Sequence, residues 1–90
     1  MKVKIFLVNN CSYCKKLEKL LNKANIEFET FDIKTKEGDK IFKPIFEITQ
    51  SELVPTVLID GKHILVPEIS FKTIDMCFEI ILKILKEEIK

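Results

Sequence analysis

The spacing of apolar residues in the first third of the chain predicts a β-α-β unit. Residues 2–8 are rich in β-branched and aromatic side chains and end at two asparagines, which is typical of a buried strand. Leu17, Leu20 and Leu21 follow the i, i+3, i+4 spacing of an amphipathic helix, which we predict over Ser12 to Ala24. Residues 26–33 alternate between apolar and polar side chains, which predicts a half-buried strand.

The middle of the chain predicts a second helix and a hairpin. Apolar residues at positions 41–48 indicate a helix, and Pro44 is compatible either with a kink or with the first turn, so the bounds of this helix stay open. Two segments with the composition of β-strands, at positions 56–59 and 62–66, are joined by Asp60-Gly61, a dipeptide typical of tight hairpin turns.

The last predicted element of the chain is a long helix. Pro67 ends the hairpin, and from Glu68 to the C-terminus the apolar residues follow a helical period. The order β-α-β-α-β-β-α predicts an α/β fold in which three helices cover a four-stranded mixed sheet. We expect residues 1–90 to form a single domain, because the chain has no room for a second core. The residues that carry the last helical period are Phe71, Ile74, Phe78, Ile81, Leu82 and Leu85.

Composition excludes several classes of function. The 15 basic and 14 acidic residues nearly cancel, so we expect no nucleic-acid partner. No apolar run approaches the roughly 18 residues that span a membrane, and the N-terminus lacks the pattern of a secretion signal. We therefore expect a cytoplasmic protein without a membrane partner, in which cysteines are more often catalytic or metal-binding than structural.

The motif Cys11-Ser12-Tyr13-Cys14 lies between the first predicted strand and the first predicted helix. Two thiols at this spacing can form a disulfide and reopen, and a C-x-x-C beside a βαβ pattern is typical of thioredoxin-like redox proteins. The helix N-terminus would stabilise a thiolate at the first cysteine. We therefore predict Cys11 as the nucleophile and Cys14 as the resolving thiol.

Two further segments, Val54-Pro55-Thr56 and residues 59–64, accompany this motif, and together the three resemble the glutaredoxins over nearly the whole chain. The resemblance implies a thioredoxin-like fold and a thiol–disulfide oxidoreductase. Such an enzyme would reduce protein disulfides or glutathione mixed disulfides with electrons from glutathione. The resemblance also implies that the peptide bond before Pro55 is cis, so that the main chain of Val54 is free to pair with an extended thiol peptide.

The resemblance assigns two further residues to the binding of glutathione or a thiol peptide. Tyr13 stands at an aromatic position that contacts glutathione in the family, although packing against neighbouring side chains is an alternative. Glu68 stands where the family has an aspartate that serves the ligand's amino group. A glutamate at a helix start is also favourable for dipole reasons alone. Lys15 and Lys16 either assist the thiolate or form a solvated helix face.

Departures from the family pattern keep alternatives open. Leu65 and Val66 replace a Gly-Gly pair, and their branched side chains are expected to crowd glutathione. Val8 replaces a basic residue. Thioredoxin reductase is therefore an alternative electron source. Ser12 replaces a proline, and members without that proline sometimes hold a [2Fe–2S] cluster between two subunits, which is a second alternative.

The remaining cysteine and the histidine are expected to stay outside the chemistry. Cys77 lies on the apolar stripe of the last predicted helix and is predicted to be a buried small hydrophobe. Cys77 and His63 do not combine with the motif cysteines at any usual zinc-ligand spacing, so no metal site is predicted. The expected partners are disulfide-containing proteins and glutathione, and we expect a monomer.

Overall fold

A computed structural model describes residues 2–88, and within them the element order is β-α-β-α-β-β-α, as predicted. The predicted α/β, thioredoxin-like architecture is confirmed: three helices cover a four-stranded mixed sheet. The elements are β1 (Val3–Leu7), α1 (Ser12–Lys23), β2 (Glu29–Asp32), α2 (Lys36–Thr49), β3 (Thr56–Ile59), β4 (His63–Leu65) and α3 (Ile74–Glu88). The strand order in the sheet is β2-β1-β3-β4.

The two faces of the sheet carry separate hydrophobic clusters. β1 pairs in parallel with β2 and antiparallel with β3, and β3 pairs antiparallel with β4. Because side chains alternate along a strand, Val3 and Ile5 pack with α1 and α3, whereas Phe6 packs with α2 on the opposite face. The predicted hairpin turn is confirmed, since Asp60 and Gly61 both have positive φ.

The ends of α1 are set by local hydrogen bonds. At its start the Cys11 side chain accepts a hydrogen bond from a main-chain N–H of the first turn. At its end Asn25 adopts a left-handed conformation with φ of 57°. The N–H groups of Asn25 and Ile26 then donate to the carbonyls of Asn22 and Leu21, which is the Schellman pattern.

The second strand is shorter than predicted, and the second helix is longer. β2 begins only at Glu29, where pairing with Lys4 of β1 starts, and the predicted alternation is broken there by the adjacent polar residues Glu29 and Thr30. α2 begins at Lys36, since the Thr35 hydroxyl accepts a hydrogen bond from the Gly38 N–H at 3.0 Å. Pro44 therefore lies inside the helix and not in its first turn, with its ring exposed to solvent.

The prediction that the last helix starts at Glu68 is wrong. Glu68 has a left-handed φ of 70°, and its N–H donates to the Phe71 carbonyl at 2.8 Å, so the chain turns before the helix begins. α3 starts at Ile74, where the Thr73 hydroxyl accepts a hydrogen bond from the Met76 N–H at 3.1 Å. Residues 89 and 90 of the predicted helix lie outside the described residues.

Candidate redox site

A disulfide joins Cys11 and Cys14 at the start of α1, with their Cα atoms 5.2 Å apart. Cys11 is the N-cap of the helix, and its sulfur accepts the Cys14 N–H at 3.1 Å. Cys11 is partly exposed, whereas only 1% of Cys14 is accessible. An incoming thiol or disulfide can therefore approach the first sulfur, while the second is shielded by the protein.

The loop before β3 lies at the same end of the sheet as the cysteine pair. β1 leads toward Cys11, and β3 starts opposite the end of β1 because the two strands are antiparallel. The Val54–Pro55 peptide bond is cis, as the resemblance implied. Val54 stands outside the sheet ladder, and its main-chain N–H and C=O make no hydrogen bond within residues 2–88. The Thr56 hydroxyl donates to the Leu53 carbonyl at 2.8 Å and ties the loop to the strand.

A cleft of about 240 Å³ lies between this loop and the start of α3; we call it the α3-side cleft. It brings together four of the predicted site residues. Tyr13 is 67% exposed, so packing against neighbouring side chains does not account for its position. Glu68 is exposed and lies in the turn before α3, so the dipole of that helix does not account for it. The lining residues are Tyr13, Leu53, Val54, Pro55, Pro67, Glu68, Phe71, Lys72, Thr73 and Ile74.

A second cleft, of about 530 Å³, lies on the other side of Val54; we call it the α2-side cleft. Sequence reasoning missed it, because it joins the ends of β1 and β2 to one face of α2. The only signal in the sequence was the apolar Val8 near the cysteines. Its lining residues are Val8, Ile33, Lys34, Asp39, Phe42, Lys43, Phe46, Glu52 and Val54.

The side chains that replace the family's Gly-Gly pair do not enter either cleft. Leu65 and Val66 are only 6% and 4% accessible, and Leu65 belongs to the core beneath α1 and α3. The expectation that they crowd a ligand is therefore wrong, since both side chains pack into the interior.

The basic residues beside the motif are solvated. Lys15 and Lys16 are both exposed, and Lys16 forms an ion pair of 3.5 Å with Asp75 of α3. This favours the interpretation of a solvated helix face. A larger cleft of about 770 Å³ lies at the opposite end of β1, where Val3 and Asn25 are among its lining residues, and it contains none of the predicted site residues.

Cys77 is fully buried in α3, as predicted, and burial raises the pKa of its thiol to about 12. Among residues 2–88, no three His, Cys, Asp or Glu side chains are grouped so that they could hold a metal ion. No helix in the described part of the chain is long and apolar enough to cross a membrane.

Comparison with known proteins places these features in a family. A glutaredoxin family model matches residues 3–64. A curated glutaredoxin of Ricinus communis is 33% identical over 63 residues, which are 69% of this chain and 62% of the relative, so the match spans less than two thirds of that protein.

Solved structures agree with the sequence comparison. The glutaredoxin of Methanosarcina mazei Go1 is 25% identical with a TM-score of 0.63, and the match covers 72% of this chain and 66% of that one. A buckwheat glutaredoxin–glutathione complex is 29% identical with a TM-score of 0.57, covering 68% and 56%. The Cys11–Cys14 pair and the cis Val54–Pro55 bond lie within the residues that the family model matches. The chain belongs to the glutaredoxin family.

Proposed function

We propose that this protein is a thiol–disulfide oxidoreductase that reduces protein disulfides and glutathione mixed disulfides and takes its electrons from glutathione. The observation that carries the proposal is the unequal exposure of the two cysteines. The partly exposed Cys11 caps a helix at the same end of the sheet as the unpaired main chain of Val54, and Cys14 is buried. This arrangement suits an attacking thiol and a resolving thiol.

The reaction begins with the reduced pair. The Cys11 thiolate, favoured by the Cys14 N–H and the helix dipole, attacks one sulfur of the target disulfide. The target S–S bond breaks, one target thiolate leaves and takes up a proton, and a mixed disulfide with Cys11 remains. Cys14 then attacks the Cys11 sulfur, which releases the second target thiol and closes the Cys11–Cys14 disulfide. Two electrons and two protons pass to the target.

Two glutathione molecules restore the dithiol. The first attacks the Cys11 sulfur and frees Cys14, and the second attacks the bound glutathione and leaves as glutathione disulfide. The buckwheat glutaredoxin–glutathione complex supports glutathione as the reductant, as does the burial of Leu65 and Val66 away from the α3-side cleft. In that cleft we assign Glu68 to the amino group of glutathione and Tyr13 to its peptide.

A coupled assay tests the proposal. The protein is supplied with a glutathione mixed disulfide, glutathione, glutathione reductase and NADPH, and in parallel with thioredoxin reductase in place of the glutathione system. We expect turnover with the glutathione system. Turnover only with thioredoxin reductase would show that glutathione is not the electron donor, while the proposed dithiol chemistry would remain supported.

Three variants separate the roles of the cysteines. Cys11→Ser should abolish turnover, and it should remain folded because a serine hydroxyl is itself a good N-cap acceptor. Cys14→Ser should lose the reduction of protein disulfides and keep the reaction with glutathione mixed disulfides, which needs only one thiol. Cys77→Ala is the matched control and should keep both activities. Activity that survives in Cys11→Ser would contradict the mechanism.

A further inference from the structure

We propose that the α2-side and α3-side clefts are side-chain pockets for an extended segment of a protein disulfide, and that they select bulky apolar residues beside the substrate cysteine. This inference rests on the proposed function and names the class of protein substrate on which the dithiol acts.

The main chain of Val54 is available to pair with a peptide. Val54 lines both clefts, and its N–H and C=O are unpaired within residues 2–88. An extended peptide that pairs with these two groups adds a short strand at the edge of the loop. Its side chains then fall toward the clefts on either side of Val54, close to the cysteine whose sulfur meets Cys11.

The α3-side cleft has exposed apolar residues in its lining. Tyr13 and Leu53 line this cleft and are 67% and 52% exposed. Large apolar side chains that stay exposed together at one site are typical of binding surfaces for apolar groups.

The α2-side cleft combines an apolar lining with balanced charges. Its apolar lining comes from α2 and from the loops that follow β1 and β2 or precede β3, among them Val8, Phe42 and Phe46. The charged residues of the same lining are two lysines and two carboxylates, so their formal charges cancel. A small peptide dominated by carboxylates, such as glutathione, gains little from such a site, whereas an apolar side chain can bury its surface there.

A single-turnover experiment tests the preference. The reduced protein is mixed with short peptides whose single cysteine carries a thionitrobenzoate group in disulfide linkage. Cys11 attacks the peptide sulfur and expels the coloured thionitrobenzoate anion. Cys14 then releases the peptide thiol and closes the Cys11–Cys14 disulfide, so the two electrons come from the protein dithiol. Peptides with leucine on either side of the cysteine are compared with the same peptides carrying asparagine, which has nearly the same shape.

We expect the leucine peptides to react at least tenfold faster, because apolar pockets discriminate by about tenfold or more for each apolar group. Leu53→Ser should reduce the preference for leucine several-fold. Leu82→Ser is the matched control, since this leucine is also exposed but lies on α3 away from both clefts, and it should keep the preference.

Three results would overturn the proposal. Equal rates for the leucine and asparagine peptides, or a preference that survives in Leu53→Ser, would exclude apolar selection while leaving the proposed function intact. Absence of any reaction, even with Ellman's reagent, would refute the proposed function together with this inference.

Discussion

The buried thiol of Cys77 should be almost unreactive toward alkylating reagents in the folded protein. Its side chain is 0% exposed, and burial raises its pKa from 9.0 to about 12. At about pH 8 the thiolate fraction of such a thiol is about one in ten thousand, compared with about one in ten for an ordinary thiol. Since only the thiolate reacts, iodoacetamide should label Cys77 at least about 1,000-fold more slowly in the folded protein than in guanidinium at the same pH.

Mass spectrometry of the alkylated peptides measures this ratio, and Cys11 in the reduced protein serves as the internal reactive thiol. Labelling of Cys77 within about tenfold of the rate in the unfolded chain would refute the argument that burial suppresses its ionisation.

The same pKa shift predicts the pH dependence of stability. The unfolded chain loses the Cys77 proton near pH 9.0 and the folded chain only near pH 12, so folding stability falls as the pH rises between these values.

Each pH unit in this window costs about 1.4 kcal/mol, so the full window costs about 4 kcal/mol. Urea unfolding of wild type and Cys77→Ala at several pH values above 9 isolates this contribution, because all other titrating groups are shared. We expect the free energy of unfolding of wild type to fall more steeply with pH than that of the variant. Parallel curves would show that the thiol ionises equally in both states.

Three further predictions concern the helices and the turn before α3. Gly38→Ala should destabilise the fold by about 2 kcal/mol in urea unfolding, although alanine is the better helix former by about 1 kcal/mol, because a Cβ there would overlap the Asp32 carbonyl. Glu68→Gly should stabilise the fold by about 0.5 kcal/mol in the same assay, since it relieves a left-handed backbone, and in the coupled assay it should raise KM for glutathione substrates. Lys16→Ala should change the free energy of unfolding by less than about 0.5 kcal/mol, because it and its partner Asp75 are 54% and 70% exposed.

Most of the fold was predictable because each element has a local signal. The apolar stripe of Leu17 and Leu21 fixes the face of α1 that is buried, and Asn25 ends that helix through a left-handed residue that asparagine tolerates. The Asp60-Gly61 dipeptide supplies both positive φ angles of the hairpin. The cysteine motif was equally local, because the residue that caps the helix is also the exposed redox residue.

The errors arose where tertiary contacts override local preference. The apolar period of the last helix extends back to Phe71, but Phe71 is buried in the core through the preceding turn and not through the helix. Pro44 was compatible with a kink or with the first turn, and the cap at Thr35 starts the helix at Lys36, which leaves the proline in the interior of α2. The α2-side cleft could not be predicted, because its walls come from segments that are distant in sequence.

The turn between Pro67 and Phe71 explains how the chain can carry Leu65 and Val66 where the family resemblance expects two glycines. Glycine is required where the backbone adopts positive φ or must approach another group closely. Within residues 2–88 neither Leu65 nor Val66 has positive φ, and the left-handed position instead falls at Glu68, after Pro67. The backbone reversal that leads into α3 therefore lies after Leu65 and Val66, and these two positions can carry side chains that pack into the core. We infer that Leu65 and Val66 add packing to the core and leave Cys11, Cys14 and the main chain of Val54 unobstructed.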